Sequence, residues 1–248
     1  MQKFFVSKEQ IKENIIKIIG EDVNHIINVL RLNIGENILI GNTGSGETYL
    51  GSITKKEKHE VLVNIIEKIE QSTEPRTYIH LFQGLPKSDK MEYIIQKGTE
   101  VGISEFTPVI MKRCVAKIDE KENIKKTERW QKIALSSAEQ SKRDFIPKIN
   151  LAKNLKNIFE IFKEYDIVLV AYENEQEKSL KEELKKYEKI HNRIAIIVGP
   201  EGGLEKEEID EIVKNGGKCI SLGKRILRTE TASIVMTTMI LYEFNDMN

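Results

Sequence analysis

Two short runs near the C-terminal end of the chain combine glycines with charged residues in a pattern suited to ligand binding. The glycine loop, residues 199–203, reads Gly-Pro-Glu-Gly-Gly, and the basic loop, residues 222–232, carries three cations within five residues. Each run follows an apolar segment and precedes a helical pattern, which places both at the carboxyl ends of strands, where α/β sheets bind small ligands. Glycine lets a backbone approach a ligand closely, so the two loops predict a site for a small organic cofactor.

The cations of the basic loop are Lys224, Arg225 and Arg228. A solvated surface loop carries cations too, but three of them beside a glycine-rich loop favour an anionic substrate. The residues that follow, Thr229 and Thr231, are of a type that caps helices, so we expect a helix to begin there.

One carboxylate belongs to each loop, Glu201 to the first and Glu230 to the second. Both lie next to the start of a predicted helix, where a negative charge compensates the positive end of the helix dipole. For Glu230 we expect this structural role. For Glu201 two interpretations stay open, dipole compensation and a contact with a ligand.

A third polar cluster, residues 136–143, reads Ser-Ser-Ala-Glu-Gln-Ser-Lys-Arg at the end of a predicted helix. One interpretation is a polar helix end whose cations compensate the dipole, and these residues alone slightly favour it. The other is an RNA-facing surface in which Gln140 and Arg143 contact phosphates or base edges. Trp130, earlier in the same helix, is expected in the core.

Composition sets limits on the class of protein. The 248 residues include 39 Lys+Arg and 39 Asp+Glu, so a formal net charge of zero gives no support for nucleic-acid binding by total charge. Locally, however, residues 111–148 hold a surplus of basic residues. Two distant cysteines and four histidines without ligand spacing give no metal site. No apolar run approaches ~20 residues, so we expect a soluble, cytoplasmic protein without a membrane segment.

Two domains are predicted, with a polar linker around residues 71–75. Residues 1–72 show short strands between Gly/Asn turns, typical of a small barrel or sandwich, and residues 73–248 alternate strands with helices, typical of a mainly parallel α/β sheet covered on both faces. Strands are predicted at 37–40, 48–53, 60–66, 78–83, 105–110, 167–171, 194–198 and 218–222. Helices are predicted at 22–30, 88–101 (with Ser88 as N-cap), 124–140, 155–164, 176–187, 204–215 and 231–244.

Taken together, the motifs resemble the RsmE family of small-subunit ribosomal RNA methyltransferases over nearly the whole chain. Any one motif is a weak signal, but their presence in this order is highly specific, and the agreement is closest in the glycine loop and the basic loop. The matching segments are 25–31, 87–92, 96–102, 129–130, 138–143, 199–203 and 222–232.

The resemblance implies a PUA-like RNA-binding β-barrel over 1–72 and a SPOUT-type methyltransferase domain with a trefoil knot over 73–248. It implies S-adenosyl-L-methionine as cofactor and a homodimer as the assembly. The implied reaction is methylation at N3 of one uridine in the decoding region of 16S rRNA, within the 30S subunit or a late precursor.

The family's site residues carry over to this sequence by motif. Two residues would act in catalysis, Arg228 as a stabiliser of negative charge and Glu201 as a proton acceptor. The cofactor would be held by Val198, Gly199, Pro200, Gly202, Gly203, Leu222, Gly223, Ile226, Leu227, Arg228, Thr231 and Ala232. RNA would be bound by Arg31, Lys87, Lys90, Arg113, Gln140, Arg143, Lys224 and Arg225.

Two other classes of function are considered. A non-catalytic RNA-binding or ribosome-assembly module on the same fold would need no cofactor, and the intact pair of loops argues against it. A nicotinamide-dependent dehydrogenase would carry a GxGxxG run after its first strand, and this chain has none there. Cofactor binding distinguishes all three.

Overall fold

A computed structural model describes residues 1–187 and 193–247 of the chain, which divides into two compact units. Unit 1 comprises Met1–Glu74 and Ala138–Ile146, and unit 2 comprises Pro75–Ser137 and Pro147–Asn248. The division thus differs from the predicted one in that residues 138–146 join the N-terminal unit. In the sequence this segment shows only the pattern of a polar helix end.

Unit 1 is built on one curled six-stranded sheet in the order β1-β4-β5-β6-β3-β2. Strand β1 pairs with β4 in parallel, and the remaining neighbours pair antiparallel. The strands are β1 (Lys3–Val6), β2 (Ile11–Lys12), β3 (Ile15–Ile19), β4 (Asn37–Asn42), β5 (Thr48–Lys56) and β6 (Glu60–Ile69), and a 3₁₀ turn covers Lys8–Gln10.

The predicted strands at 37–40, 48–53 and 60–66 lie within β4, β5 and β6, whereas β1 to β3 were missed. Strand β3 shows why: its residues Ile-Ile-Lys-Ile-Ile bury Ile16 and Ile18 and expose Ile15 and Ile19. Alternation of burial without alternation of residue type leaves no period-two signal in the sequence.

The predicted helix at 22–30 is a short α-helix, α1 (Glu21–Asn24), continued by a π-helical turn over His25–Val29. Val23 and Ile26 of this segment are buried in the core of unit 1. Arg31 follows it with φ of 54°, a left-handed conformation common just after a helix end.

A buried ion pair fixes residues 138–146 within unit 1. The Nζ of Lys3 donates to Asp144 at 2.6 Å and to the hydroxyl of Thr48 at 2.8 Å, and the backbone N–H of Thr73 donates to Asp144 at 2.9 Å. Both charges of the pair are therefore hydrogen-bonded, which burial of an ion pair requires.

Glu139, also in unit 1, makes the stability of the protein depend on pH. Burial, and secondly the charge of Asp22, raise the pKa of Glu139 to about 7 from 4.5. A raised carboxyl pKa favours folding while the group is protonated, and this contribution is lost as pH rises through about 7. We expect the free energy of unfolding of Glu139→Gln to exceed that of the unaltered protein by roughly 1 kcal/mol at about pH 8, after discounting for partial exposure, and to differ little at about pH 5.

Melting curves at the two pH values measure this effect, with the exposed Glu160→Gln as control. Parallel pH profiles for Glu139→Gln and the unaltered protein would contradict the assignment.

Unit 2 contains a seven-stranded sheet in the order β10-β8-β7-β12-β11-β13, with β9 paired to β8, and each of these pairings is parallel. Its strands are β7 (Tyr78–Gly84), β8 (Glu105–Ile110), β9 (Lys148–Ile149), β10 (Lys153–Asn154), β11 (Ile167–Ala171), β12 (Arg193–Val198) and β13 (Lys218–Ile220). Its helices are α2 (Lys90–Val101), α3 (Glu120–Ser141, with its last turn in unit 1), a 3₁₀ helix (Leu155–Glu164), α4 (Leu180–Leu184), α5 (Lys206–Lys214) and α6 (Thr229–Glu243).

Helices cover both faces of this sheet, as predicted. One core joins residues of the 3₁₀ helix and α5, such as Phe162 and Ile212, to β7, β11 and β12. On the other face α6 packs on β7, β12 and α2. Trp130 is buried, as predicted.

The apolar positions of the last predicted helix predict one buried face, made of Ala232, Val235, Met236, Met239 and Ile240. The buried side of α6 differs partly from this face. Ala232, Met236 and Ile240 are buried as expected, but Val235 is half-buried and Met239 exposed. Buried hydroxyls at Thr229, Ser233 and Thr237 lie on this face instead. These polar residues carry no hydrophobic signal in the sequence.

Three other helix predictions need correction. The predicted helix 176–187 shortens to α4, the one at 155–164 has 3₁₀ geometry, and α2 begins one residue after Asp89, which occupies the N-cap position given to Ser88. Ser88 has φ of 52° and cannot cap in that conformation.

Within residues 1–187 and 193–247, no helix is long and apolar enough to cross a membrane. The same residues contain no cluster of three His, Cys, Asp or Glu side chains able to hold a metal ion. Cys114 and Cys219 are free thiols. His191 lies outside the described residues.

Candidate cofactor-binding site

A pocket of about 520 Å³ opens at the carboxyl ends of β11, β12 and β13 in unit 2. The carboxyl ends of neighbouring parallel strands lie at the same edge of the sheet, so the loops that follow these strands come together there. The pocket is lined by Lys90, 171–173, 198–204, 221–229 and Ala232.

The glycine loop and the basic loop therefore face one pocket. The predicted cofactor-binding residues line it with one exception, Thr231, which is exposed in the first turn of α6. Arg228 and Glu201 also line it.

A left-handed conformation explains one glycine of the pocket, and close backbone approach explains another. Gly203 has φ of 71°, its N–H donates to the carbonyl of Pro200 at 2.9 Å, and an added Cβ would lie 2.6 Å from Oε1 of Glu173. Gly84, at the end of β7, is closer still: its Cβ would lie 2.5 Å from the backbone nitrogen of Pro200 and 2.8 Å from the carbonyl carbon of Gly199. Backbone at such distances leaves no room for any other residue at position 84.

A buried hydrogen-bond network ties the two loops to the sheet. The amide nitrogen of Gln83 donates to the hydroxyl of Thr229 at 2.8 Å, and that hydroxyl donates to the carbonyl of Gly199 at 2.6 Å. The hydroxyl of Ser233 donates to the amide oxygen of Gln83 at 2.5 Å. Gln83, Thr229 and Ser233 are all buried. The start of α6 is thereby held to the start of the glycine loop.

We expect Gln83→Leu to destabilise unit 2 by about 1 kcal/mol, because it removes the amide's hydrogen bonds to Thr229 and Ser233 while both hydroxyls keep a backbone carbonyl as acceptor. Loosening the two loops should also weaken cofactor binding by about fivefold, roughly 1 kcal/mol. Urea denaturation and calorimetry of ligand binding measure the two effects. Unchanged affinity in the destabilised variant would show that the network supports the fold but not the pocket.

This network also corrects the predicted helix cap. The N-cap position of α6 is taken by Arg228, whose carbonyl accepts from the N–H of Ala232 at 2.8 Å. Thr229 is the first helical residue, and its hydroxyl bridges Gln83 and Gly199 instead of capping the helix. Thr231 lies in the first turn and does not cap either.

The basic loop presents its cations to solvent at the pocket. Lys224, Arg225 and Arg228 are exposed, and Gly223 turns the chain with φ of 115°. Ile226 is 89% exposed, unusual for a large apolar residue beside a pocket. The loop thus offers both charge and apolar surface to a bound molecule.

Glu201 is held by two groups at the start of α2. Its carboxylate accepts from the backbone N–H of Lys87 at 3.1 Å and lies 3.1 Å from the Nζ of Lys90, which is also 3.3 Å from Glu230. Burial alone would raise the pKa of Glu201, but hydrogen bonds from its own N–H, from Lys87 and from Lys90 together lower it. Glu201 is therefore a carboxylate at neutral pH and a weak base. The pairing of Glu230 with Lys90 agrees with the expected structural role.

Arg113, in the segment after β8, holds the glycine loop in place by hydrogen bonds. Its guanidinium donates to Glu205 at 2.8 Å and to the carbonyl of Gly202 at 2.8 Å. The backbone N–H of Lys112 donates to Glu208 at 2.8 Å. These contacts fix the start of α5 and so the far end of the loop.

The predicted RNA-binding residues divide between the units. In unit 2, Lys87 and Lys90 lie at the start of α2, and Lys224 and Arg225 lie in the basic loop, while Arg113 is engaged as described. In unit 1, Arg31 and Gln140 are exposed, whereas Arg143 is 4% exposed and paired with Glu74 at 2.5 Å. A direct RNA contact by Arg143 would require this pair to open.

S-adenosyl-L-methionine, the cofactor implied by the resemblance, fits the residues of this pocket. The volume of the pocket, about 520 Å³, is in the range of small-molecule sites. Val198 and Leu227 offer apolar surface for an adenine ring, and Glu173 offers negative charge for a sulfonium cation. Gly203, with its positive φ, and Gly84, packed against the backbone of the glycine loop, carry no side chain that could fill the space where the loop turns.

Sequence reasoning missed Gln83, Gly84 and the lining residues 171–173. A polar residue and a glycine ending an apolar strand, as at Gln83 and Gly84, are a usable signal, because ligand sites lie at such ends.

Comparison with known proteins agrees with both units. Residues 72–241 match a family model described as an RNA methyltransferase domain, and residues 18–66 match an RNA methyltransferase PUA domain. The ribosomal RNA small subunit methyltransferase E of Bacillus subtilis is 36% identical over 98% of this chain and 97% of its own. That of Mesomycoplasma hyopneumoniae is 36% identical over 96% of this chain and 98% of its own.

A solved relative has the same fold. The crystal structure of the ribosomal RNA small subunit methyltransferase E from Neisseria gonorrhoeae, bound to S-adenosyl methionine, superposes with a TM-score of 0.87 at 28% identity, over 98% of this chain and 97% of that one. With 36% identity along nearly the full length and the RNA methyltransferase model matched across unit 2, the chain belongs to the ribosomal RNA small subunit methyltransferase E family.

Proposed function

We propose that this protein transfers a methyl group from S-adenosyl-L-methionine to N3 of one uridine in the decoding region of 16S rRNA. The observation that carries the proposal is that the glycine loop and the basic loop together line one pocket in unit 2. The cofactor bound to the gonococcal relative supports the choice of methyl donor.

The chemistry asks for stabilisation of negative charge. S-adenosyl-L-methionine supplies an electrophilic methyl group, and uridine N3 becomes a good nucleophile only as its proton leaves. A guanidinium aimed at the uracil oxygens would stabilise the imide anion that develops. Arg228 is the residue we assign to this role, because it is a cation of the basic loop at the pocket.

Glu201 is better suited to positioning than to proton transfer. Its contacts with Lys87 and Lys90 lower the pKa of its carboxyl, which weakens it as a base towards an imide. We therefore assign Glu201 to holding the start of α2 against the glycine loop. Correct alignment of N3, the methyl carbon and sulfur then supplies much of the rate.

The target base must be unpaired or flipped out to enter the pocket. Lys224 and Arg225, exposed in the basic loop, are placed to bind the flanking phosphates. Lys87, Lys90 and Arg113 in unit 2, and Arg31 and Gln140 in unit 1, complete the proposed RNA-binding set. Arg143 is assigned to supporting unit 1 through Glu74.

A homodimer is proposed for the assembly, and a trefoil knot for the chain around the pocket. Support for the dimer comes from large apolar side chains left exposed on two helices that pack on each other, Tyr93 of α2 and Met239 and Tyr242 of α6. Exposed apolar side chains that adjoin one another mark interaction surfaces, whereas isolated ones are common on any protein. The substrate is proposed to be the 30S subunit or a late precursor, in the cytoplasm.

The proposal is tested by incubating purified protein with methyl-labelled S-adenosyl-L-methionine and small subunits from cells that lack the activity. Nuclease digestion and mass spectrometry then identify the labelled nucleoside and its position. The expected product is N3-methyluridine at one site. Label on another atom or base would contradict the proposal, and absence of both label and cofactor binding would favour a non-catalytic RNA-binding module.

A further inference from the structure

Helix α3 presents a basic stripe that the cofactor pocket does not use. At 3.6 residues per turn, Lys121, Lys125, Arg129 and Lys132 fall on one side of the helix, with the carboxylate of Glu128 among them. All five residues are exposed. The part of this side nearest the middle of the helix forms an open groove of about 450 Å³ lined by Lys125, Glu128, Arg129, Lys132, Ile133 and Ser136.

We propose that this basic stripe binds the phosphate backbone of the substrate RNA outside the methylation site. The inference rests on the proposed function, since it concerns the same RNA. Charge complementarity identifies the occupant: four cations along about 16 Å of helix match a row of phosphates, and the chain as a whole has no net positive charge to explain them.

Not every positive charge of the stripe is neutralised by an ion pair within the protein. Lys126, on the neighbouring side of α3, is neutralised by Glu122 one turn earlier at 2.9 Å. Lys121 and Lys125 have no such carboxylate partner within the described residues of unit 2. A solvated cation without a carboxylate partner can neutralise a phosphate, and the release of the condensed counterions of the RNA then favours binding.

The stripe is linked to the pocket through the first turn of α2. Arg129 pairs with Glu92 of α2 at 2.9 Å, and Lys90, two residues earlier, lines the pocket. An RNA strand leaving the pocket past Lys90 would therefore meet Arg129 and then the rest of the stripe. This continuity favours the substrate's own backbone over an unrelated ligand.

The test replaces two exposed lysines of the stripe by glutamine, Lys121→Gln with Lys125→Gln. The matched control replaces two exposed lysines of the 3₁₀ helix, Lys156→Gln with Lys163→Gln, for the same change in net charge. Binding of deproteinised 16S rRNA is measured over a series of salt concentrations. Calorimetry with S-adenosyl-L-methionine alone checks that the pocket is intact.

The expected result is an affinity for RNA about tenfold weaker at ~0.1 M salt, with the slope of log affinity against log salt reduced by about 1.5, corresponding to two lost phosphate contacts. Cofactor affinity should match that of the control. RNA binding equal to the control would overturn the inference while leaving the proposed function standing. Weaker binding to assembled 30S subunits but not to free RNA would also overturn it, in favour of an acidic protein partner.

Failure of the proposed function gives a different pattern. In that case the unaltered protein would transfer no methyl group to uridine, yet the stripe variant would still lose RNA affinity relative to the control. If the unaltered protein bound 16S rRNA without salt dependence, the inference would fall whatever its methylation activity.

Discussion

Gly84→Ala is expected to weaken binding of S-adenosyl-L-methionine at least a hundredfold, about 2.7 kcal/mol. The added Cβ would lie 2.5 Å from the nitrogen of Pro200 and 2.8 Å from the carbonyl carbon of Gly199. Both are backbone atoms at the start of the glycine loop and cannot rotate away as a side chain could. The loop must move out of its position, and it forms one wall of the pocket.

Calorimetric titration with the cofactor measures the loss. Gly44→Ala is the matched control, because a Cβ there meets no atom closer than 3.4 Å. Hydrogen exchange of β7 and β12 reports whether the sheet stays folded in the Gly84 variant. Near-normal affinity with the sheet intact would show that the glycine loop does not shape the cofactor site.

Arg228→Ala is expected to lower the single-turnover rate of methylation at least tenfold, or ~1.4 kcal/mol in the barrier. The physical reason is loss of a cation at the place where the uracil oxygens become negative. Affinity for the cofactor should stay within about twofold, because the N-cap contact of Arg228 is made by its backbone carbonyl, which alanine retains.

Rates are compared at saturating RNA and cofactor, so that weaker binding does not enter. Arg228→Lys should recover part of the rate, since it keeps the charge but loses the planar fork. Lys214→Ala, at an exposed position of α5, serves as the control. An unchanged rate for Arg228→Ala would remove this residue from the mechanism.

The sequence predicted most of unit 2 because its strands are apolar runs separated by helical patterns. β8 and β11 were located to the residue, and the glycine loop and basic loop were placed at strand ends. Local pattern suffices for these features, because burial on both faces makes each strand continuous in hydrophobicity.

The position of Gln83 and Gly84 at a strand end marks them as candidates for a ligand site, but their specific roles could not be predicted from local pattern. Their roles at the pocket depend on the pairing of β7 with β12. They also depend on hydrogen bonds from Gln83 to Gly199 and Thr229, which lie 116 and 146 positions further along the chain. The sequence around residues 83 and 84 does not indicate which strand will pair with β7. Such long-range pairing is set by the packing of the whole sheet.

The position of residues 138–146 in unit 1 could not be predicted for a related reason. Their place in unit 1 depends on Lys3, 141 residues away, pairing with Asp144, and on Glu74 pairing with Arg143. In the sequence Arg143 is one more cation at a helix end, equally consistent with RNA binding. Its burial becomes visible only once its partner is known.

A crystal structure of the protein soaked with S-adenosyl-L-methionine shows whether the glycine loop and the basic loop form the methyl-donor site. We expect density for the cofactor between residues 198–203 and 222–232, with its methyl group turned towards the side of the pocket that carries Arg228. Cofactor bound elsewhere, or a pocket that stays empty while the protein still methylates RNA in the same solution, would contradict this expectation.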